Sequence, residues 1–333
     1  MSLPNNFTRF PENMELPETK EIDGKTYRIH GFHFRGLQDL YTFLKKNPRI
    51  NLDTFAARGI YVSSAYDHKP ELTVASIAAP PSFAGVPYEQ AVENLIIDND
   101  PGYQEYLKIQ KELHLKDEYV HKYNKIKTIA GGAVDPVAYT TGSPKIYTAS
   151  RLAKKTRFIT ISTQVSYNCT TSNRQVFNRA LIITNLIKAL ETKGYNVDIN
   201  SFMLAKESDE IIKAVFEIKR HGERVNYQAL YKTLVNVEFF RRLCFRLMEV
   251  SDVENFWVDG YGSPVNKDLA KKLLRLGKDD IYFDQPRDMK IHGNDIEEDF
   301  ENAIKCLNLQ NVIDIDKEKK LLKQSITRSQ NNK

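Results

Sequence analysis

Cysteine is scarce in this chain. Its 333 residues hold three, Cys169, Cys244 and Cys306, odd in number and far apart. That excludes a disulfide framework and fits a reducing compartment. Long apolar runs are missing as well. No uncharged stretch approaches the roughly 18 residues that span a bilayer, so no membrane-spanning helix is expected. The opening residues MSLPNNFTRF lack a basic segment followed by an apolar one, and no signal peptide is expected. A charge excess is absent from most of the chain. The net charge is +5, from 48 basic and 43 acidic residues, and the segment Lys317–Lys333 with six basic residues and one acid accounts for all of it. A near-neutral body of residues 1–316 argues against a general nucleic-acid binder, which needs clustered Lys and Arg.

The phosphate fingerprints are absent too. No Gly-rich loop ends in Gly-Lys-Ser or Gly-Lys-Thr, and no G-x-G-x-x-G occurs. Ser162 and Ser166 lack the flanking glycines of a nucleophile elbow. No Ser–His–Asp, Cys–His or paired-carboxylate arrangement stands out, and no catalytic set or cofactor is expected.

What is present suits a folded α/β protein. Hydrophobic residues make up 41% and charged residues 27%, enough for a core. The length allows two or three domains of roughly 100–200 residues. KTYRIHGFHF (25–34) reads as a strand, and GLQDLYTFLKKNP as a helix with Leu37, Leu40, Phe43 and Leu44 on one face. IYVSSAY (60–66) is a further short strand, and a helix starts near Pro87. Residues 100–127 read as an exposed helix or helical pair. The Gly- and Pro-punctuated segment 129–147 is a connector and places a domain boundary near 129. Strand and helix then alternate: FITIS (158–162), a helix with the capping-box pattern Ser172–Gln175 ended by Gly194, strands in YNVDINSFMLA and AVFEIKR as neighbours, helices in YQALYKTLVN and EFFRRLCFRLMEV, NFWVDGYG, a helix in KDLAKKLLRL, DIYFD, and a final helix with acids in its first turn. Such alternation predicts a largely parallel sheet with helices on both faces and ligands at the carboxyl ends of its strands.

Four places carry candidate chemistry. In FITISTQVS the strand opens into hydroxyls and an amide, Ser162, Gln164, Ser166 and, further on, Asn168. They either cap and turn the chain or bind a neutral or anionic group beside a helix N-terminus. EFFRRLCFRL puts Arg242 and Arg246 one turn apart with Arg241 beside them. That spacing can grip phosphates, and the surrounding phenylalanines make plain packing the commoner explanation. Asp259 in DGYGSP is an acid or ligand on what is most simply a turn. His114, Glu118 and His121 share a helical face, but in a Lys-rich helix that pattern marks a solvated surface, and His30 and His33 point to opposite faces of a strand. No metal is expected at either.

Ser162-x-Gln164-x-Ser166 followed by a long helix and the ending LETKGYNVDI resembles the D-x-S-x-S metal site of von Willebrand A-type domains, with serine where the aspartate belongs. Hard cations need anionic oxygen ligands, so the resemblance implies the fold and the loop without the metal. A second resemblance rests on motif order: FAGVPYEQAVENL, IAGGAVDPVAYTTGSP, FITISTQVS, NRALIITNLIKALETKGYNVDI, FFRRLCFRL and GYGSP. In order and spacing these resemble an uncharacterised family of tailed-phage and prophage proteins, over roughly residues 55–308. The matching positions are Gly131, Gly132, Gly142, Pro144, Arg179, Gly194, Arg241, Arg242, Gly260 and Gly262. The resemblance implies a protein of the infected bacterial cytoplasm or of the virion.

The expectations are therefore these. Residues 1–128 form a mixed α+β region, 129–310 a Rossmann-like, von Willebrand A-type α/β core, and 311–333 a basic tail. The protein is expected to be a non-enzymatic binder of a viral or host protein, with nucleic acid reachable through the tail and no membrane contact. A phosphoester or nucleotide hydrolase and a virion structural component are the alternatives.

Overall fold

The structure is a computed structural model. It describes residues 13–46, 84–97, 101–114, 123–129, 133–145, 147–152, 157–251, 253 and 264–331. The strand expected at 60–66, the segment NFWVDGYG with Asp259, and Glu118 and His121 lie outside these residues.

Period-2 patterning produces the strands. β1 (Glu18–Ile22) and β2 (Lys25–Phe34) form an N-terminal hairpin, followed by α1 (Leu37–Lys46), α2 (Tyr88–Glu93) and α3 (Pro101–His114). β3 (Tyr123–Thr128), β4 (Ala133–Val134), α4 (Pro136–Thr140) and β5 (Tyr147–Leu152) come next. β3, β5 and β4 make a small antiparallel sheet in that order. Residues 123–127, expected as helix, are strand because they pair with β5 along their whole length. A remote partner outweighs local helix propensity here.

The remaining elements are β6 (Arg157–Gln164), α5 (Asn173–Thr192), β7 (Tyr195–Glu207), β8 (Glu210–Lys219), α6 (Tyr227–Leu234), a π-helical turn (Phe239–Cys244) running into α7 (Phe245–Val250), α8 (Lys267–Leu273), β9 (Ile281–Phe283), α9 (Ile296–Cys306) and α10 (Ile315–Asn331). The main sheet has six strands in the order β1-β2-β8-β7-β6-β9. β2/β8, β7/β6 and β6/β9 are parallel, while β1/β2 and β8/β7 are antiparallel. The expected parallel pairing thus holds for three of the five neighbouring pairs, and the sheet is mixed. The reason is connection length. β7 and β8 are joined by two residues, with Ser208 at a φ of 50°, and a two-residue turn can only reverse the chain. β2 reaches across most of the sequence to lie parallel to β8, so the N-terminal segment is part of the same sheet as the second half.

α5 is held at its start by a full capping box. Gln175 N donates to Ser172 Oγ at 3.3 Å, and Ser172 N donates to Gln175 Oε1 at 2.8 Å. Gly194, at a φ of 86°, stops it. One face of the sheet and α5 enclose the larger core with α1, α2, α3 and α6. The second face buries a smaller cluster against α8: Ile22, Tyr27, Ile29, Phe202, Leu204, Ile211 and Tyr282 with Val265, Ala270 and Leu273. EFFRRLCFRL is helical as expected, but it opens with a π turn. That turn lets Phe239 meet Phe216 (ring centroids 5.0 Å apart) while the adjacent Phe240 meets Tyr167 at 5.3 Å.

The basic segment expected to be a solvated tail is α10, and it packs on α3 and α9. Its lysines find the acids of α9: Lys319 with Glu301 at 2.6 Å and Lys323 with Glu297 at 2.7 Å. Lys305 also binds Glu301, and the two lysines hold its carboxyl well down, at about 2. A depressed carboxyl contributes stability above its unfolded value and loses it as pH falls through the folded one. Glu318 runs the other way, because burial raises it, and its protonation in acid favours the folded state. We expect the α9–α10 contact to loosen below about pH 4.5, read as faster amide exchange along α10. In Glu301→Gln that acid step is expected to vanish. An unchanged step in the variant would place the cause elsewhere. All three ion pairs lie at the surface, so salt is expected to shrink the effect.

Candidate functional site

The carboxyl ends of β6 and β9 are where a parallel pair leaves room for a ligand. Here a cation of the chain itself reaches in. Arg179, on the second turn of α5, is fully buried and reaches the strand ends. Its Nη1 donates to the carbonyl of Gln164 at 2.9 Å and to that of Asp284 at 3.4 Å. Burial pulls the guanidinium down to about 10. The loops above are tied to one another: Asn168 N donates to Gln285 Oε1 at 3.2 Å, and Gln285 Nε2 donates to Asp288 at 2.8 Å. The Arg241 guanidinium lies 5.2 Å from the Tyr167 ring centre, and its Nη2 reaches the Asn168 carbonyl at 3.5 Å. Burial pushes the Tyr167 phenol up to about 12, so it stays a neutral hydroxyl.

The arginine row splits. Arg241 faces the loop after β6. Arg242 Nε instead donates to the Val86 carbonyl at 3.0 Å, ahead of α2. Arg246 stacks on Tyr88 at 4.3 Å and lies 3.7 Å from Glu249. Arg241 thus meets the hydroxyl loop, while Arg242 and Arg246 reach the segment at α2.

Ser162 pairs with Asn200 on β7 and Tyr282 on β9, and it lines a half-open cavity of about 610 Å³ on the second face of the sheet. That volume lies within the roughly 300–1,000 Å³ of small-molecule sites. Thr160, Ser162 and Asn200 supply a hydroxyl and amide floor, with Lys213 and Val215 of β8 beside them. Leu273, Leu274 and Leu276 at the end of α8 make an apolar wall, and Glu15, Leu16 and Glu18 close the far side. Glu15 lies over Gly31, where any Cβ would collide with its carboxylate. Opposite charges meet loosely at the rim, Lys213 with Glu15 at 3.8 Å and Arg275 with Glu18 at 3.9 Å. Asp280 is structural, accepting from Thr160 N at 2.8 Å and Gly277 N at 2.7 Å.

A family model described as Domain of unknown function (DUF7192) matches residues 18–314. The chain belongs to the DUF7192 family. No curated protein and no solved structure matches it. The family match starts at the first residue of β1 and stops just before α10. The DUF7192 unit therefore spans the whole main sheet, N-terminal hairpin included.

Within this DUF7192 fold the expected site residues fall into separate places. Ser162 lies on the second-face cavity. Gln164 is buried and accepts from the Tyr282 hydroxyl, and Ser166 is buried beyond it. Asn168 and Arg241 hold the loop, Arg242 and Arg246 face α2, and Asp259 lies outside the described residues. Among the described residues no group of three or more His, Cys, Asp and Glu is placed to hold a metal. His30 pairs with Glu210 at 2.5 Å and His33 with Glu217 at 3.0 Å. Sequence reasoning missed Asn200, Lys213 and the acids of residues 15–18. One signal was available: Asp198 and Asn200 put polar groups on one face of a strand expected to be buried on both, in register with Thr160 and Ser162.

Proposed function

We propose that this DUF7192 protein is a non-enzymatic binding protein. Its second-face cavity takes a small polar ligand that carries charge of both signs. The observation behind the reading is the cavity's lining: a neutral hydroxyl and amide floor, an apolar wall, and two loosely paired cation–anion couples at the rim. A ligand amine can take over Glu15 or Glu18, a ligand carboxylate Lys213 or Arg275, and an apolar body the leucines. We also read β8-β7-β6-β9 as a von Willebrand A-type core. Its support is the β6–α5–β7 crossover, the hairpin to an antiparallel β8 and the placing of β9 on the other side of β6. In that reading Arg179 supplies a built-in cation, and β2 and β1 extend the sheet beyond β8. A phage origin is supported by motif order, and a role in the infected host or the virion goes with it. The hydrolase alternative is less favoured, because Arg242 and Arg246 are engaged at α2.

Calorimetry and thermal shift with free amino acids and dipeptides, their amides and their N-acetyl forms test the reading. We expect at least a tenfold loss of affinity, about 1.4 kcal/mol, when either charge is removed from the ligand, and a similar loss in Lys213→Met and Asn200→Leu. Binding unchanged in both variants would move the site elsewhere. Turnover of a phosphoester or nucleotide, abolished by Ser162→Ala, would replace the binding role with an enzymatic one.

A further inference from the structure

We infer that the buried donors at the ends of β6 and β9 form an occluded site for a small oxyanion, with Arg179 at its centre. This stands apart from the second-face cavity and does not depend on it. A guanidinium has five N–H donors in a rigid fork. Arg179 spends Nη1 on the Gln164 and Asp284 carbonyls. Its Nε and Nη2 are buried without a partner. Those two nitrogens form the edge that takes a carboxylate or phosphate through two parallel hydrogen bonds. No carboxylate among the described residues lies within 4 Å of this guanidinium, although Asp284 is near enough to act on it electrostatically.

The neighbouring side chains add donors. Gln164 accepts from the Tyr282 hydroxyl through Oε1, which leaves its Nε2, a donor, buried and unpartnered. Two residues on, the Ser166 hydroxyl is fully buried and unpartnered as well. All of these groups lie within two residues of the carbonyl that Arg179 grips. Two acids oppose an anion: Asp284, and Asp288, which acts electrostatically on Asp284 and Tyr282 while accepting from Gln285 Nε2. Burial raises the Asp284 carboxyl, which weakens that opposition, and its Oδ1 already accepts from Gln285 N at 2.8 Å. Buried donors on a charged group are costly to leave unmet, and native folds leave few of them. A small oxyanion answers the charge and the donors together. It enters when the loop Val165–Thr171 lifts, a movement restrained by the Asn168–Gln285 bond and by Arg241.

Thermal unfolding of the full chain at constant ionic strength tests this, with chloride exchanged for inorganic phosphate, nitrate or acetate. A saturating rise in Tm is expected with one class of oxyanion, about 4 °C at hundredfold excess over its Kd. Phosphate acting alone marks a tetrahedral anion site, and acetate acting alone a carboxylate site that a partner's side chain can also fill. Ser166→Ala is expected to weaken the effect about tenfold, and Arg179→Met to abolish it. If Arg179→Met fails to fold, equilibrium dialysis of labelled phosphate and labelled acetate against wild type and Ser166→Ala decides. A Tm that follows the general salt series equally in wild type and Ser166→Ala, or does not move, overturns the site and leaves ordinary buried hydration.

Discussion

Phe216→Ala is expected to destabilise the protein by about 3–5 kcal/mol. Phe216 is 1% exposed on β8. Its ring stacks on Phe34 of β2 at 5.5 Å and meets Phe239 of the π turn edge-on at 5.0 Å. Phe34 in turn packs edge-on against Phe43 of α1 at 5.4 Å. One side chain therefore joins the N-terminal hairpin, the long β7–β8 hairpin and the arginine-bearing helix. Removing it leaves a cavity that three separate elements must collapse to fill, so the loss is expected near the top of the range. Chemical denaturation followed by far-UV circular dichroism checks the value. A single transition with a lowered midpoint and unchanged slope is expected, because β2 belongs to the same sheet as β8. A first transition confined to residues 18–46 would show instead that the N-terminal segment folds as a separate unit.

Arg179→Ala is expected to cost a comparable amount, about 3–5 kcal/mol. The substitution leaves the Gln164 and Asp284 carbonyls unanswered, at about 1–3 kcal/mol for a buried acceptor. It also empties the volume of one of the two largest fully buried side chains among the described residues and takes away the positive charge facing Asp284. Arg179→Met fills most of that volume without a charge to desolvate. Its expected cost is smaller, about 1–2 kcal/mol, since apolar replacement of buried charge is often tolerated. The contrast separates the two roles of the residue, because Met restores packing and not the donors. Equal losses for Ala and Met would mean that the hydrogen bonds carry the whole effect.

Much of the local structure was legible. Apolar spacing located α1, α5, α6, α8 and α9. The Ser172–Gln175 pattern located the start of α5, and Gly194 its end. Period-2 alternation found β2, β6, β7 and β8, and the β7–β8 adjacency followed from their short connection. What failed did so where a distant partner decides. Residues 123–127 read as helix until β5 is seen beside them. Lys317–Lys333 reads as a solvated basic tail until the acids of α9 are seen to face its lysines.

The candidate site shows the same division. Sequence alone determined that the loop after β6 is polar, that Ser162 puts a hydroxyl and not a carboxylate near the end of that strand, and that arginines cluster at 241–246. Those are properties of residue type and spacing. Only the tertiary structure decided that Ser162 turns to the second face beside Asn200. It also decided that Arg241 parts from Arg242 and Arg246, and that Arg179 reaches the strand ends where a ligand was expected. The physical reason is that a side chain's face depends on strand register, and register is set by pairing between segments far apart in the chain. Composition cannot report which strand will lie alongside, nor which buried donor will find its acceptor across the fold.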